Sequence, residues 1–181
     1  MALPKLNTPT YELEVPSTDE KIKYRPFLVK EEKILMIAME SKDNTQIVNA
    51  VKDIVSACTF EKIDISNMPM FDVEYIFLNI RAKSVGEVSK LRVLCPDDKK
   101  TYTNVEVDLT KVNVEIGEGH TNKIELTDDT GMIMTYPTID SFTETGITSV
   151  SAENMIELIG SCVLQIYEDK GEKVFQGKDQ T

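Results

Sequence analysis

The segment of this chain that comes closest to a metal site is Cys95-Pro96-Asp97-Asp98. Zinc ribbons use a Cys-x-x-Cys pair at this spacing, but here Asp98 occupies the position of the second thiol. A structural zinc ion needs a tetrahedral set of Cys and His ligands, and the chain has three cysteines and one histidine, His120. We therefore predict no metal ligand. Pro96 favours a tight hairpin turn, and the aspartates are expected to bind local backbone amides.

A second short motif, Asp129-Thr130-Gly131, has the sequence of the aspartic-protease triplet. That chemistry needs two carboxylates that share one proton. Thr127 and Asp128 precede the triplet, where apolar residues would be expected, and the chain has no second copy. A homodimer would supply one, so a homodimeric hydrolase built on Asp129 is kept as an alternative. The favoured interpretation is a hairpin turn, because short motifs often match by chance.

Nucleophilic catalysis has little support in the residue pattern. Cys58 and Cys162 lie on the apolar sides of predicted helices, where burial raises the pKa of a thiol and lowers its reactivity. His120 has no nucleophile near it in the sequence, and Gly117-Glu118-Gly119 is too short and too acidic to hold a phosphate. We therefore predict no catalytic residue, no cofactor-binding residue and no cofactor.

Composition narrows the class of partner. The 181 residues have a formal net charge of −11 and are 41% hydrophobic, which predicts a globular protein with a sizeable core. A nucleic-acid partner is not expected, because binding phosphates needs a basic patch. No apolar run is long enough for a membrane span. The odd number of cysteines and the absence of a signal peptide in Met1–Pro9 predict a reducing compartment.

Hydrophobic periodicity predicts helices in the first half of the chain. Tyr11–Val15 and Lys21–Phe27 alternate and predict an N-terminal hairpin, and a helix follows over Leu28–Glu40. Asp43 is predicted to cap the next helix in a capping box with Gln46. A third helix, apolar almost all the way round and therefore central to the fold, is predicted over Phe71–Val85.

The pattern after Gly86 predicts four or five antiparallel strands, each exposed on one face. They are centred on Leu91–Cys95, Val105–Val107, Val112–Ile116, Ile124–Leu126 and Met132–Tyr136.

A last helix is predicted over Ser151–Tyr167, with Ser151 as its N-cap and Val150 packed against Met155. Lys178–Thr181 is expected to lead into a further helix. The methionines are expected to lie mainly in the core, although one group of them would suit an adaptable binding face; they are Met36, Met39, Met132, Met134 and Met155.

These elements predict an α+β fold in which helices flank an antiparallel β-rich insert that resembles a degenerate zinc ribbon without metal. One compact domain with an inserted lobe is expected. It would comprise a hairpin and helical part over 1–87, the insert over 88–136 and a C-terminal helical part over 137–181.

Several longer strings resemble those of the T4-type phage baseplate hub assembly proteins and hub subunits. The resemblance covers most of the chain and continues through Cys95-Pro96 and Tyr136-Pro137-Thr138. Its strongest parts are Met1–Pro9, Tyr24–Lys33 and Phe71–Glu87. Some relatives carry a paired Cys-x-x-Cys where this chain has only Cys95.

The resemblance implies a phage protein that acts in assembling the hub of a contractile tail's baseplate by binding other hub or tail proteins, and that is not an enzyme. A permanent structural subunit of the virion baseplate is the alternative. The implied location is the host cytoplasm during assembly or the virion baseplate itself. We expect the contacts at strand edges between Leu91 and Tyr136 and along Met1–Pro9, because strand edges and extended tails suit β-augmentation.

Overall fold

A computed structural model of the protein describes residues 8–144, 152–168 and 173–176. The chain forms two compact units. The first comprises Met1–Ile65 with Phe71–Val114, and the second comprises Ser66–Met70 with Glu115–Thr181. None of the helices in the described ranges is both long enough and apolar enough to cross a membrane.

From residue 8 onward, the first unit combines two antiparallel hairpins with three helices. Strands β1 and β2 pair with each other, and β3 pairs with β4. A 3-10 turn at Ile65–Asn67 precedes the third helix, and another at Leu109–Lys111 follows the last strand. The elements in chain order are β1 (Tyr11–Glu14), β2 (Lys21–Tyr24), α1 (Val29–Ser41), α2 (Asn44–Cys58), α3 (Met70–Val85), β3 (Val88–Leu94) and β4 (Tyr102–Asp108).

In its described residues, the second unit forms a four-stranded antiparallel sheet and two short helices. The strands follow the order β5-β6-β7-β8, with a register shift in β6 between Ile133 and Met134. The elements are β5 (Lys123–Glu125), β6 (Gly131–Met134), α4 (Ile139–Glu144), α5 (Ala152–Ser161), β7 (Val163–Glu168) and β8 (Lys173–Gln176).

The core of the first unit draws mainly on residues of α2 and α3. Helix α3 contributes Val73, Ile76 and Ile80, each no more than 1% exposed. Helix α2 contributes Ile54 and Val55, which are as deeply buried. The predicted third helix is confirmed with nearly the same bounds. Its apolar surface is only partly covered, because other residues of this helix, Phe77 among them, are half-buried.

Helix α2 begins as predicted at Asp43. The Asp43 carboxylate accepts hydrogen bonds from the amides of Thr45 and Gln46, so it satisfies two free donors of the first turn. The Gln46 side chain donates to the Asp43 carboxylate at 3.1 Å. A capping box would instead have Gln46 accept from the Asp43 amide. The cap is therefore confirmed, and the box is replaced by a bond between the two side chains.

The start of α1 is fixed by a buried ion pair. Glu31, 4% exposed, accepts from the Leu28 amide at 2.8 Å and from the Arg25 guanidinium at 3.1 Å. Burial alone would raise the pKa of Glu31, but the Leu28 amide and Arg25 together hold that pKa below its ordinary value. Removing one partner would leave the other charge buried and unpaired, which is costly.

Two of the strings that carry the family resemblance contact each other in this unit. The Phe27 amide, in the first string, donates to Ser84 Oγ at 2.9 Å, and Ser84 lies in the second string. Ser84 Oγ in turn donates to the Ile80 carbonyl at 2.5 Å. These residues therefore join the start of α1 to the last turn of α3. This contact gives them a role in stabilising the fold.

The strand predicted over Val112–Ile116 is wrong. Residues 112–117 form no strand; the chain leaves β4 through the 3-10 turn Leu109–Lys111, which Asp108 caps by accepting from the Thr110 amide at 3.0 Å. Alternating apolar residues make a strand only where a neighbouring strand satisfies their backbone groups, and no strand in the described part of the chain pairs with this segment.

The prediction of a helix over Ser151–Tyr167 is wrong in its second half. Helix α5 ends at Ser161, and Val163–Glu168 is strand β7, which lies inside the sheet between β6 and β8. A run of Val, Ile and Tyr suits a strand that has neighbours on both sides. The predicted N-cap at Ser151, the contact of Val150 and the segment Lys178–Thr181 lie outside the described residues.

The α+β fold class is confirmed, since helices and antiparallel sheets both occur. The stretch over 137–181 is not purely helical, because it supplies β7 and β8. The strands predicted within 88–136 are divided between two sheets: β3 and β4 form one, and β5 and β6 join the other. The predicted domain bounds themselves stay a prediction.

Candidate functional site

Cys95-Pro96-Asp97-Asp98 forms the turn of the β3–β4 hairpin. The Cys95 amide donates to the Thr101 carbonyl at 2.8 Å, and the Asp98 carboxylate accepts from the Lys100 and Thr101 amides at 3.0 Å. The Thr101 hydroxyl also donates to Asp98. These bonds, the Thr101 hydroxyl foremost, lower the pKa of Asp98 to about 2. Asp98, which stands where a zinc ribbon would have its second cysteine, therefore stabilises a turn.

No three His, Cys, Asp or Glu residues within the described ranges come together as a metal-binding group. Cys95 is a free, half-buried thiol. Cys58 and Cys162 are both buried, as expected, and burial raises the pKa of the Cys58 thiol to about 11 even though Arg25 lies nearby. That thiol is therefore protonated at neutral pH and a poor nucleophile. The absence of metal ligands and cofactors stays a prediction.

Asp129-Thr130-Gly131 connects β5 to β6 in a hairpin. The Leu126 and Thr127 amides both donate to the Thr130 carbonyl at 3.0 Å, and the Thr130 amide donates to Thr127 Oγ1 at 3.0 Å. Asp129 is exposed, whereas a carboxylate that shares a proton needs a sheltered site. The local bonds favour the turn interpretation of the triplet.

Gly131 is required by packing against β7. A Cβ atom at this position would overlap the Tyr167 ring and hydroxyl and would lie 2.8 Å from the Ile124 carbonyl oxygen. Tyr167 is 8% exposed, and its hydroxyl has no hydrogen-bond partner among the described residues. The glycine of the triplet is thus explained by the close approach of a tyrosine from the neighbouring strand.

His120 pairs with Tyr136 in the second unit. Its Nε2 lies 2.6 Å from Tyr136 Oη, and the two rings are nearly parallel with centroids 5.7 Å apart. Both residues line an open cleft whose wall is otherwise mainly apolar, with Ile124, Met134 and Leu164 contributing. The contact between His120 and Tyr136 fixes the orientation of both rings at the edge of this cleft.

The β3–β4 hairpin has no buried residue anywhere from Val88 to Glu106. Side chains alternate between its two faces, and the register places Leu91 opposite Val105 and Val93 opposite Thr103. We call the side that carries Leu91, Val93 and Val105 the apolar face; these three are 47%, 44% and 39% exposed. Alternation along the strands does not reveal that this face is uncovered.

We call the opposite side of the hairpin, with Lys90, Arg92 and Glu106, its charged face. Lys90 forms an ion pair with Glu106 across the ladder at 3.2 Å. The Arg92 guanidinium lies 4.4 Å from the centre of the Tyr102 ring. Val88, Leu94 and Tyr102 are exposed at the two ends of this same face, so the hairpin is amphipathic mainly in its middle, around the charged side chains.

Both edges of the hairpin offer free backbone groups. At its two ends, the Cys95 amide bonds to the Thr101 carbonyl and the Leu109 amide bonds to the Glu87 carbonyl. Bonded and non-bonded pairs alternate along an antiparallel ladder, so the even-numbered residues between these ends point their amides and carbonyls outward. No described strand pairs with either edge. The outward-pointing residues are Val88, Lys90, Arg92 and Leu94 on β3, and Tyr102, Asn104, Glu106 and Asp108 on β4.

A second apolar surface lies on α1. The prediction that Met36 and Met39 face the core is wrong: they are 58% and 60% exposed, beside exposed Val29 and Ile37. Helix α1 turns Glu31 and Ala38 inward instead. Because Glu31 must meet Arg25, the methionines are rotated outward. A methionine-rich helix face is typical of adaptable protein contacts.

The four-stranded sheet also exposes an apolar stripe. The register aligns one residue from each strand, Ile124, Met132, Ile166 and Phe175, across the same face. Ile124, Ile166 and Phe175 are all exposed.

An α+β fold with an amphipathic hairpin and further exposed apolar surfaces is typical of a protein that acts by binding other proteins. Comparison with known families agrees with this class. The family described as T4 bacteriophage base plate protein matches residues 8–181, and the chain belongs to that family. No curated protein and no solved structure matches the chain significantly.

Membership confirms the T4-type baseplate part of the resemblance, places the chain among the baseplate proteins and points to tail proteins as the class of partner. Membership in this family also fits a structural role in the baseplate.

Proposed function

We propose that this protein acts in assembling the central hub of the baseplate by binding other hub or tail proteins, without catalysing a reaction. Family membership supports the baseplate setting. The hub assignment is supported by the resemblance of Tyr24–Lys33 and Phe71–Glu87 to hub assembly proteins. The observation that carries the binding role is the hairpin β3–β4, which has no buried residue from Val88 to Glu106.

An isolated two-stranded hairpin has marginal stability in water, and an apolar face without cover adds to that problem. The apolar face exposes Leu91, Val93 and Val105 together. A partner that covers it would gain roughly 25 cal/mol for each Å² of apolar surface removed from water. We therefore take this face as the main contact. The segment Met1–Pro9, of which residues 1–7 lie outside the described part, is kept as a second proposed contact.

A pair of variants on the same hairpin tests the role of the apolar face. Leu91→Glu combined with Val105→Glu places charges on this face, and Lys100→Gln changes the exposed turn without touching it. All three positions are exposed, and circular dichroism checks that both proteins fold, because the two new glutamates lie opposite each other in the ladder. In complementation of a phage that lacks this protein, only the double variant should fail to form complete baseplates. Normal baseplates with the double variant would show that the hairpin is not the contact.

The protein either leaves the baseplate after assembly or stays in it. We propose an assembly factor that acts in the host cytoplasm, with a permanent virion subunit as the alternative. Mass spectrometry of purified mature virions separates the two, because only a subunit is retained in stoichiometric amounts. The homodimeric hydrolase hypothesis is not favoured, because Asp129 is exposed in a local turn.

A further inference from the structure

The edges of the β3–β4 hairpin complement each other in charge. The outward-pointing residues of β3 include Lys90 and Arg92, and those of β4 include Glu106 and Asp108. Strand β3 thus has a basic edge and β4 has an acidic edge in the same hairpin. Neither edge pairs with another strand in the described part of the chain.

We propose that β3 of one copy pairs with β4 of a second copy, so that hairpins of identical chains join edge to edge. This self-pairing rests on the proposed function in one respect, because both require the hairpin to be an interface. The occupant of the edge is a second copy because this chain itself carries the acidic, alternating strand that a basic edge requires.

One antiparallel register pairs opposite charges and also pairs most of the free backbone groups of the two edges. With Arg92 opposite Glu106 of the second copy, Lys90 lies opposite that copy's Asp108. The same register places Leu91 opposite Val107 and Val93 opposite Val105. Opposite charges and apolar pairs directly across strands are both stabilising. Lys90, Arg92 and Leu94 then meet Asp108, Glu106 and Asn104 of the second copy in hydrogen-bonded pairs, because even-numbered residues face even-numbered ones. Val88 and Tyr102, at the ends of the strands, have no strand residue opposite them.

Pairing within each hairpin is compatible with this contact. Glu106 already pairs with Lys90 of its own chain at 3.2 Å, yet its side chain is 65% exposed. Asp108 caps the 3-10 turn with one oxygen and pairs with its own Lys111 at 3.6 Å through the other, so Glu106 is the better placed acidic group of this edge. Glu106 can therefore lie between its own Lys90 and the second copy's Arg92. Pairing β3 with a second β3 is less favourable, because an arrangement centred on Leu91 would set Lys90 opposite Arg92.

The contact uses different strands on the two copies, so it is head-to-tail. Such a contact leaves a free β3 edge at one end and a free β4 edge at the other, and it can repeat into a ring or a longer array. Assemblies of three or more copies are therefore expected, with all the apolar faces on one side of a continuous sheet. That side stays available for other baseplate proteins.

Sedimentation velocity on the full chain in about 0.15 M salt tests the charge pairing. The unchanged protein should form species of three or more copies as its concentration rises. Arg92→Glu places a negative charge opposite Glu106 of the second copy and should weaken association about fivefold or more. Two controls should associate normally: Lys100→Glu, which makes the same charge change at the turn, and Arg92→Lys, which keeps the positive charge. A monomer at every concentration, or a closed dimer, would overturn the proposal.

Disulfide trapping tests the register. In a Cys95→Ser background, Leu91→Cys and Val107→Cys proteins are mixed and mildly oxidised. The proposed pair is a non-hydrogen-bonded one with Cα atoms about 4.5 Å apart, which a disulfide can span. We expect a cross-link between the two variants and little within either alone. Equal cross-linking of Leu91→Cys with itself would show a two-fold contact instead, and the proposal would be wrong.

The two proposals fail differently. If the chain remains monomeric while the Leu91→Glu/Val105→Glu variant still blocks baseplate formation, the self-pairing is wrong and the hub-binding role survives. If copies pair as described but the apolar-face variant supports normal baseplates, the assembly role assigned to this face is wrong.

Discussion

Side chains at the two apparent motifs act on the backbone next to them. Asp98 accepts hydrogen bonds from two amides and a hydroxyl within the three residues that follow it, and no group of three potential metal ligands occurs in the described part of the chain. Gly131 allows Tyr167 of the next strand to lie directly against its backbone. In both cases the residue that resembled part of a metal or catalytic motif is explained by the geometry of a hairpin.

Substituting Gly131 tests this explanation. Gly131→Ala should lower the free energy of unfolding by about 1–3 kcal/mol, as for other overpacked sites, because the new methyl group overlaps the Tyr167 ring. Gly117→Ala is the matched control, since nothing lies within 4 Å of a Cβ there. Thermal unfolding followed by circular dichroism measures both. An unchanged melting temperature for Gly131→Ala would contradict the close packing of β6 against β7.

Asp72 predicts a pH dependence of stability. It is fully buried in α3, where the Ser17 amide donates to it at 3.1 Å and the Ser17 hydroxyl donates to the other carboxylate oxygen. Burial raises the pKa of Asp72 above its ordinary value of 3.8, and the Ser17 bonds only partly offset this. The group's contribution to stability is therefore fully present below pH 3.8 and is lost as the pH rises through the raised pKa.

Asp72→Asn should remove that dependence, because the amide can accept from the Ser17 amide and donate to its hydroxyl without titrating. Urea unfolding of both proteins between acidic and neutral pH measures the difference, and groups that titrate in both proteins cancel. The stability of the variant relative to the unchanged protein should rise with pH. A constant difference would show that Asp72 keeps its ordinary pKa on folding.

Among the helices and strands, α3 depends on one buried stripe. Ile76 is fully buried, so Ile76→Ala should cost about 2–5 kcal/mol through lost burial and a residual cavity. Phe77→Ala should cost less, although the apolar sequence alone suggests a full core position, because Phe77 is half-buried. Urea unfolding compares the two, with Glu74→Ala as an exposed control. A larger loss for Phe77→Ala would show that the helix is rotated from the orientation described.

Elements whose signals are local could be predicted from the sequence. Asp43 before an apolar stripe gives the start of α2, and the turn residues at Cys95–Asp98 give the β3–β4 hairpin. Val163–Glu168 could not be assigned, because its apolar spacing continues that of α5 and only the strands on either side make it a strand. The outward turn of Met36 likewise depends on Glu31 meeting Arg25, a contact that helical periodicity does not contain.

The uncovered face of β3–β4 could not be predicted for a related reason. Alternation in Leu91–Cys95 and Val105–Val107 identifies two strands and their apolar side. Whether that side is covered depends on which distant elements pack against it. The sequence thus predicts the strand edges as a contact region, whereas the exposed apolar face is visible only in the folded chain.

Across the whole molecule, burial is unevenly distributed between the two units. Among the residues that the structure describes, the side chains less than 2% exposed all belong to the first unit and include Ile54, Val73, Ile76 and Ile80. In the described part of the second unit, the most buried apolar side chains are Ile139, Cys162 and Tyr167, at 4%, 5% and 8%. Its sheet also leaves the stripe from Ile124 to Phe175 largely in water. Less buried apolar area means less local stability.

In the isolated protein, the rates of amide hydrogen exchange should therefore differ between the two units. We expect the amides of α2 and α3 to exchange most slowly, and those of β6 and β7 to exchange at least about tenfold faster, which is about 1.4 kcal/mol of opening free energy. Strands β1 and β2, which flank the larger core, serve as the comparison for sheet amides. Equal protection of β6, β7 and α3 would contradict this uneven stability. Added protection of β6 and β7 in assembled baseplates would locate a partner on the exposed stripe.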